Sequence, residues 1–373
     1  MPLGACLHWK LVVIDDRVAF CGGIDITSAR WDTTRHTPED SRRVTPDGSG
    51  YAPFHDVQMV VDGAAARMLG DLARDRWERA TGEAPHPPST AADGAAEADS
   101  AEDPWPPGIQ PEAGPCAISA IQTLADHGDR PGLDEIADAY VEAIRQSRRS
   151  IFVENQYLTA TVVVEALVER LQADDPPEVV LVTSRSQIGW LEDATMGRGR
   201  ARFLRRLQAT GQSDRVRVLA PVVIGGDGVA HDVKVHSKLM VVDDDTLTVG
   251  SANLANRSMG FDCELNLLVK ARTDRDRQFC RSVRDRLIAE HLGLEPTAFE
   301  ALAERNGSFL AAIDEAREHA DNRTLVPIDS DAADYGALAE ALAAVGDPEE
   351  PIEIGRLIRE RLGLALMERP AKE

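Results

Sequence analysis

The chain has 373 residues, 43% of them hydrophobic, and a formal net charge of −22. It is long enough for two domains with real cores, and no apolar run approaches the roughly 18 residues that mark a membrane-spanning helix. The negative balance disfavours duplex nucleic acid as a bulk electrostatic partner and works against adhesion to anionic membranes.

The first predicted element stands at the start. LHWKLVVIDDRVAFCGGIDI (residues 7–26) reads as strand, Asp-Asp-Arg turn, strand, and PFHDVQMVVDG (53–63) as a further strand. Residues 82–115 are rich in Pro, Ala, Gly and acid with almost no large apolar side chains, and read as a flexible linker between a first part (1–81) and a second (116–292). The second part alternates helix and strand: IADAYVEAIRQSRR, RSIFVENQYL, TVVVEALVERLQ, EVVLVTS, MGRGRARFLRRLQAT, RVRVLAP. VHSKLMVVDDDTLTVGSANL (235–254) repeats the strand-turn-strand pattern, CELNLLVKA follows as a strand and DRQFCRSVRDRLIAEHLG as a helix. The tail reads as helices broken by Asn, Gly and Pro, with GALAEALAAVG and IEIGRLIRERLGLAL the strongest segments, so 293–373 is expected to be a helical extension. The five cysteines, Cys6, Cys21, Cys116, Cys263 and Cys280, lack metal-ligand spacing. Their odd number argues against a disulfide framework and towards a reducing compartment. Cys21 and Cys263 lie in strand-like text and are expected as small core residues.

One signature occurs twice in register. His8, Lys10, Asp15, Gly22, Gly23 and Asp25 map onto His236, Lys238, Asp243, Gly250, Ser251 and Asn253 by a constant shift of 228 positions. Either copy alone reads as strand residues with satisfied rings. The matched pair reads as two half-sites meeting across a pseudo-two-fold axis. On a strand, side chains two apart share a face, so each His-x-Lys delivers an imidazole and an ammonium to one surface. Two imidazoles and two lysines suit a phosphorane-like transition state. The lysines place fixed charge where negative charge grows, one imidazole attacks phosphorus, and the other moves the proton. The small residues Gly22, Gly23, Gly250 and Ser251 allow close backbone approach to a phosphate. Asp15 and Asp243 complete the motif and are read as holding the hairpin turns.

The pattern resembles that of the phospholipase D superfamily of two-copy HKD enzymes. GGIDITSARWDT (22–33), PFHDVQMVVDG, IFVENQYL (151–158) and GSANLANRSMGFDCELNLLV (250–269) are similar to segments of its eukaryote-like and bacterial phospholipase D branch. The similarity covers roughly residues 3–292. It implies an α/β fold, a pseudo-two-fold pair of mixed-sheet sandwich half-domains, the first incomplete, plus the helical C-terminal extension. Members carry about a half-domain before the first HxK, so the resemblance implies a truncated start that leaves an open sheet edge. No signal peptide is visible, although such a truncation would remove one.

The resemblance further implies a metal- and cofactor-free site in which His8, Lys10, Asp15, His236, Lys238 and Asp243 form the catalytic set. Asp25 stands where the strict motif has Asn. With Gly23, Ser251 and Asn253 it is expected to bind the phosphate. Asp56 and Glu264 match the family's histidine-orienting acids, with the pairing of acid to histidine left open. Arg30, Trp31 and Asp32 are candidates for a headgroup pocket, with a structural tryptophan an equal reading. Arg198, Arg202 and Arg205 form a basic helical face opposite Phe203 and Leu207, read as a solvated face before a membrane-attracted one. The implied activity is hydrolysis of phosphatidylcholine-like lipids to phosphatidate and headgroup through a phosphohistidine, with transfer to alcohols. The alternatives are a cardiolipin-synthase-like phosphatidyltransferase, a nuclease of the same superfamily (disfavoured by charge), or an inactive non-enzyme. The expected partners are a phospholipid and a transient membrane surface, with no nucleic acid, and the expected location is cytoplasmic or peripheral to a membrane. Oligomeric state is not legible.

Overall fold

A computed structural model describes residues 2, 4–88, 105–127, 131–186, 193–328 and 346–348. The first stretch forms β1 (Leu11–Ile14), β2 (Val18–Gly22), β3 (Phe54–His55), β4 (Gln58–Asp62) and helix α1 (Gly63–Thr81). There follow β5 (Ile118–Leu124), β6 (Leu133–Asp134), α2 (Glu135–Gln146), β7 (Ser150–Asn155), α3 (Thr161–Gln172), β8 (Glu178–Val182), a π turn over Asp193–Gly197 and α4 (Arg198–Gln208). Next are β9 (Val216–Ile224), β10 (Ala230–Asp232), β11 (Lys234–Val235), β12 (Lys238–Val242), β13 (Thr246–Gly250), α5 (Asn256–Gly260), β14 (Glu264–Lys270) and α6 (Asp274–Leu292). Helices α7 (Pro296–Asn306) and α8 (Phe309–Glu318) and strand β15 (Arg323–Pro327) come last.

The repeated sequence is a repeated backbone. β1 pairs β2 with Leu11 opposite Cys21, and β12 pairs β13 with Leu239 opposite Val249, the same register moved by 228 positions. Both hairpins turn through two left-handed aspartates, Asp15 and Asp16 (φ 51° and 55°) and Asp243 and Asp244 (φ 54° and 63°). Two positive-φ central residues make a type I′ turn, whose twist matches that of the flanking strands, and aspartate tolerates the conformation. A third antiparallel strand joins each hairpin: β4 places Gln58 opposite Gly22, and β14 places Asn266 opposite Gly250. A long helix, α1 or α6, follows each third strand.

The second copy is embedded in a ten-stranded mixed sheet of order β10-β9-β8-β7-β12-β13-β14-β5-β6, with β15 on β9. β7, β8 and β9 run parallel, and β7 and β12 are buried along their whole length, as expected for strands covered on both faces. One face packs under α2, α3 and α4 through Tyr140, Leu167, Phe203 and Met240; the other packs under α6, α7 and α8 through Phe152, Leu287, Phe299 and Ile313. The first copy remains a separate three-stranded sheet, β1-β2-β4. It docks on β14 through Ala19, Cys21 and Val61 against Leu265 and Leu267.

Cys21 and Cys263 are buried, as their strand text implies. The tail differs from the all-helical expectation. Arg323–Pro327 is a strand antiparallel to β9, with Leu325 buried in the core, because a β-branched Thr-Leu-Val run meets a free sheet edge. Residues 336–345 and 352–366, where helices are expected, lie outside the described residues. Strand β5 was not legible from periodicity, since ISAIQTL mixes polar and apolar positions.

Candidate active site

Each motif histidine is delivered by a short parallel docking between the halves. The chain entering His8 lies beside Cys263, with the His8 N–H donating to Cys263 O (2.9 Å) and the Cys263 N–H to Cys6 O (2.9 Å). The chain entering His236 lies beside β3, with the His236 N–H donating to His55 O (2.7 Å) and the Lys234 N–H to Pro53 O (2.9 Å). The residue after each docking partner is a carboxylate, and it faces the other half's ring. His8 Nδ1 is 3.0 Å from both oxygens of Glu264, and His236 Nδ1 is 2.8 Å from Asp56 Oδ2. Both acids stand two residues before the partner of Gly22 or Gly250, so they occupy equivalent positions. Each half therefore orients the histidine of the other. Among the described residues both rings bond through Nδ1, which leaves Nε2 for a substrate.

The lysines repeat the symmetry. Lys10 Nζ donates to His8 O (2.9 Å) and pairs with Asp25 Oδ1 (3.2 Å). Lys238 Nζ donates to His236 O and to Gln156 Oε1, the latter at 3.2 Å. Lys238 is fully buried, and burial pushes its pKa down to about 7 against the pull of Asp56, with Lys10 lowering it further. Burial, and then the Lys238 charge, push His236 down to about 4 despite its bond to Asp56. Burial alone would raise Asp25, but Lys10, His236 and Arg30 hold it below the usual carboxylate range. His236 and Lys238 are thus both shifted towards their neutral forms. Asn253 Oδ1 is buried without a hydrogen-bond partner among the described residues.

Gly23 and Ser251 differ for a geometric reason. A Cβ on Gly23 would fall on Asp56 Oδ1 and lie 3.0 Å from His236 O. At the equivalent place the longer Glu264 leaves room for a hydroxyl, and Ser251 Oγ donates to Glu264 Oε2 at 2.5 Å. Asp15 and Asp243 lie in the turns, roughly 16 Å along the strand from the lysines, so they are turn residues and do not touch the site. Asp243 accepts the N–H groups of Arg148, Arg149 and Ser150 at 2.6, 2.7 and 2.9 Å. Arg30 reaches Asp25 (3.4 Å) and lies 5.3 Å from the Phe54 ring centroid, beside the site. Trp31 is half-exposed and stacks with Arg42. The Asp32 side chain is buried and structural, accepting from the N–H groups of Phe54 and Thr33 and from Arg43. Phe203 and Leu207 of α4 are buried, while Arg202 and Arg205 face outward. Sequence reasoning missed Gln156, the neighbour of Lys238, and also Glu154, His55 and Ser237. The signal was the polar Glu-Asn-Gln closing an otherwise apolar strand. Among the described residues two triads could hold a metal, His36/His55/Glu290 and His55/Glu154/His291, and neither includes His8 or His236.

Family models match in overlapping stretches, "Phospholipase D" over residues 8–162 and "Cardiolipin synthase, PLD-like domain" over residues 140–285. Phospholipase D A of Dictyostelium discoideum is 26% identical over 79% of this chain and 28% of its own length. Phospholipase D1 of Schizosaccharomyces pombe is 25% identical over 79% and 28%, and phospholipase D2 of Bos taurus 22% identical over 70% and 38%. The chain thus spans under two fifths of these relatives. The solved structure of Nuc from Salmonella typhimurium, a phospholipase D family member, aligns at 16% identity over 46% of this chain and 93% of its own, with a TM-score of 0.32. With each HKD copy inside its own matched stretch, the chain belongs to the phospholipase D superfamily.

Proposed function

We propose that the chain is a phospholipase D-type phosphodiesterase that converts phosphatidylcholine-like glycerophospholipids to phosphatidate and headgroup and passes the phosphatidyl group to alcohols as well as water. The carrying observation is the exchanged carboxylate pair, Glu264 on His8 and Asp56 on His236, which fixes two imidazoles from opposite halves with Nε2 available on each. In the first step His8 Nε2 forms a bond to phosphorus while the bond to the headgroup oxygen breaks, and His236 gives that oxygen its proton. In the second, His236 takes a proton from water or alcohol, whose oxygen bonds to phosphorus as the phosphorus–nitrogen bond breaks. Lys10, Lys238 and Asn253 hold the non-bridging oxygens. Exposed Ile26 and half-exposed Trp31, on the loop that carries Asp25 and Arg30, support transient contact with a lipid surface. No described helix is long and apolar enough to cross a membrane. We read residues 82–115 as a linker between the two units and place the protein in the cytoplasm or peripheral to a membrane, without a nucleic-acid partner.

A second reading, a cardiolipin-synthase-like phosphatidyltransferase, draws on the match over residues 140–285. The two differ in acceptor. Phosphatidylcholine vesicles with a primary alcohol should yield choline and phosphatidyl-alcohol. Turnover only with phosphatidylglycerol as both donor and acceptor would favour the transferase. A cooperatively melting protein with neither activity would support the non-enzyme reading.

A further inference from the structure

Behind the histidine pair, residues far apart in sequence converge on one oxygen. His36 Nε2 and His55 Nδ1 each lie 3.0 Å from Glu290 Oε1, and the three atoms are within 4.8 Å of one another. His36 comes from the long excursion after β2, His55 from β3, and Glu290 from the last turns of α6. We propose that His36, His55 and Glu290 form a divalent transition-metal site, with zinc the best-fitting ion, that rivets the excursion of the first half to α6 of the second.

Four observations support it. First, the ligand types are right: two imidazoles and a carboxylate are a borderline set that zinc takes, with a fourth position left for water. Second, spacing fits. Zinc bonds of about 2.0–2.1 Å in tetrahedral geometry put ligand atoms about 3.3 Å apart, close to the 3.0 Å separations present. Third, each imidazole is backed on its other nitrogen by a carboxylate, His36 Nδ1 by Asp32 at 2.9 Å and His55 Nε2 by Glu154 at 2.9 Å. That arrangement fixes ring tautomers around bound metals. Fourth, charge balances. Asp32, Glu154 and Glu290 bring three negative charges, and Arg43, bonded to Asp32 at 3.0 Å, returns one. A divalent ion offsets the negative charge left among these side chains.

The neighbouring triad, His55, Glu154 and His291, fits less well. Glu154 and His291 are wholly buried, whereas the Glu290 side chain keeps 12% exposure as an entry path. His291 Nδ1 has no acceptor to back it among the described residues. The site was invisible in the sequence because 254 positions separate His36 from Glu290.

The test is zinc titration of the chelator-stripped full-length protein, followed by calorimetry, metal analysis and thermal melting. We expect one equivalent bound, a higher melting temperature with zinc, and at least tenfold weaker binding in His36→Gln and Glu290→Gln. His291→Gln should keep the zinc. Cobalt(II) in the wild-type protein should give tetrahedral visible bands, and X-ray absorption should show two imidazoles and a carboxylate, so the proposal stands or falls even if the variants do not fold. No zinc uptake by the wild-type protein would overturn it, and so would binding lost in His291→Gln but retained in His36→Gln.

Discussion

His236 and Lys238 carry the sharpest consequences. Under the proposed mechanism His236→Asn removes the imidazole that gives and takes the proton, so turnover of a lipid with an ordinary headgroup should fall to background while the melting curve persists. With a good leaving group the acid is dispensable for the first step, and an acid-labile phosphoryl adduct should build up on His8. An adduct mapped to His236 in the wild-type protein would reverse the roles. Lys238 predicts a pH effect with a definite sign. Its folded pKa is near 7 and its ordinary value 10.5, so the folded protein binds fewer protons than the unfolded chain between those values. Stability from this residue therefore rises with pH across that window. An anion in the site favours the charged amine and reverses the effect. Binding of tungstate or vanadate at about pH 8 should take up protons, seen as a dependence of the calorimetric heat on buffer ionisation enthalpy. Equal uptake in Lys238→Met would assign the proton elsewhere.

The strand triplets explain why some of this was legible and some was not. The motif spacing is local, so the repeat at 228 positions carried the hairpin registers with it. Asp56 and Glu264 were recognisable too, but their exchange was not. It depends on the parallel dockings of Leu7 beside Cys263 and of Val235 beside His55, contacts between segments that share no sequence pattern. The same holds for Gln156 on Lys238 and for β15, which needs the β9 edge before its Thr-Leu-Val run has a place. The geometry of β2 against β4 makes a testable pair. Gly23→Ala puts a methyl on Asp56 Oδ1, at a cost of about 1–3 kcal/mol for overpacking, and displaces the acid that orients His236. In an Asp56→Ala background the main obstacle is gone and only the 3.0 Å approach to His236 O is left, so the added cost of Gly23→Ala should shrink. Additive losses in the melting series would show that Asp56 is not what excludes the methyl. Glu264→Gln keeps the shape but cannot accept from both His8 and Ser251 as the carboxylate does, and turnover should drop on the order of 10³–10⁴-fold with little change in KM. A loss confined to KM would move Glu264 from orienting His8 to holding substrate.

Considered as one body, the molecule is two unequal copies that are each incomplete at the chemistry. The first supplies His8, Lys10 and the acid for His236; the second supplies His236, Lys238 and the acid for His8. The join is not a thin contact. It includes the two backbone dockings, the Ala19, Cys21 and Val61 face on Leu265 and Leu267, and the buried chain from Asp32 through His36, Glu290 and His55 to Glu154. By contrast, the sequence of residues 82–115 holds almost no large apolar side chain. A backbone cut within 89–104 should therefore leave both pieces bound to each other. A protease site inserted there, then cleaved, should give a nicked protein that co-elutes as a single species of unchanged size, and headgroup release should stay within about twofold of the intact chain. Chain connectivity contributes mainly an effective concentration, which buried contacts replace once the halves have docked. Separation of the pieces under native conditions, or loss of activity without separation, would mean that the segment itself holds the halves in register and is more than a tether.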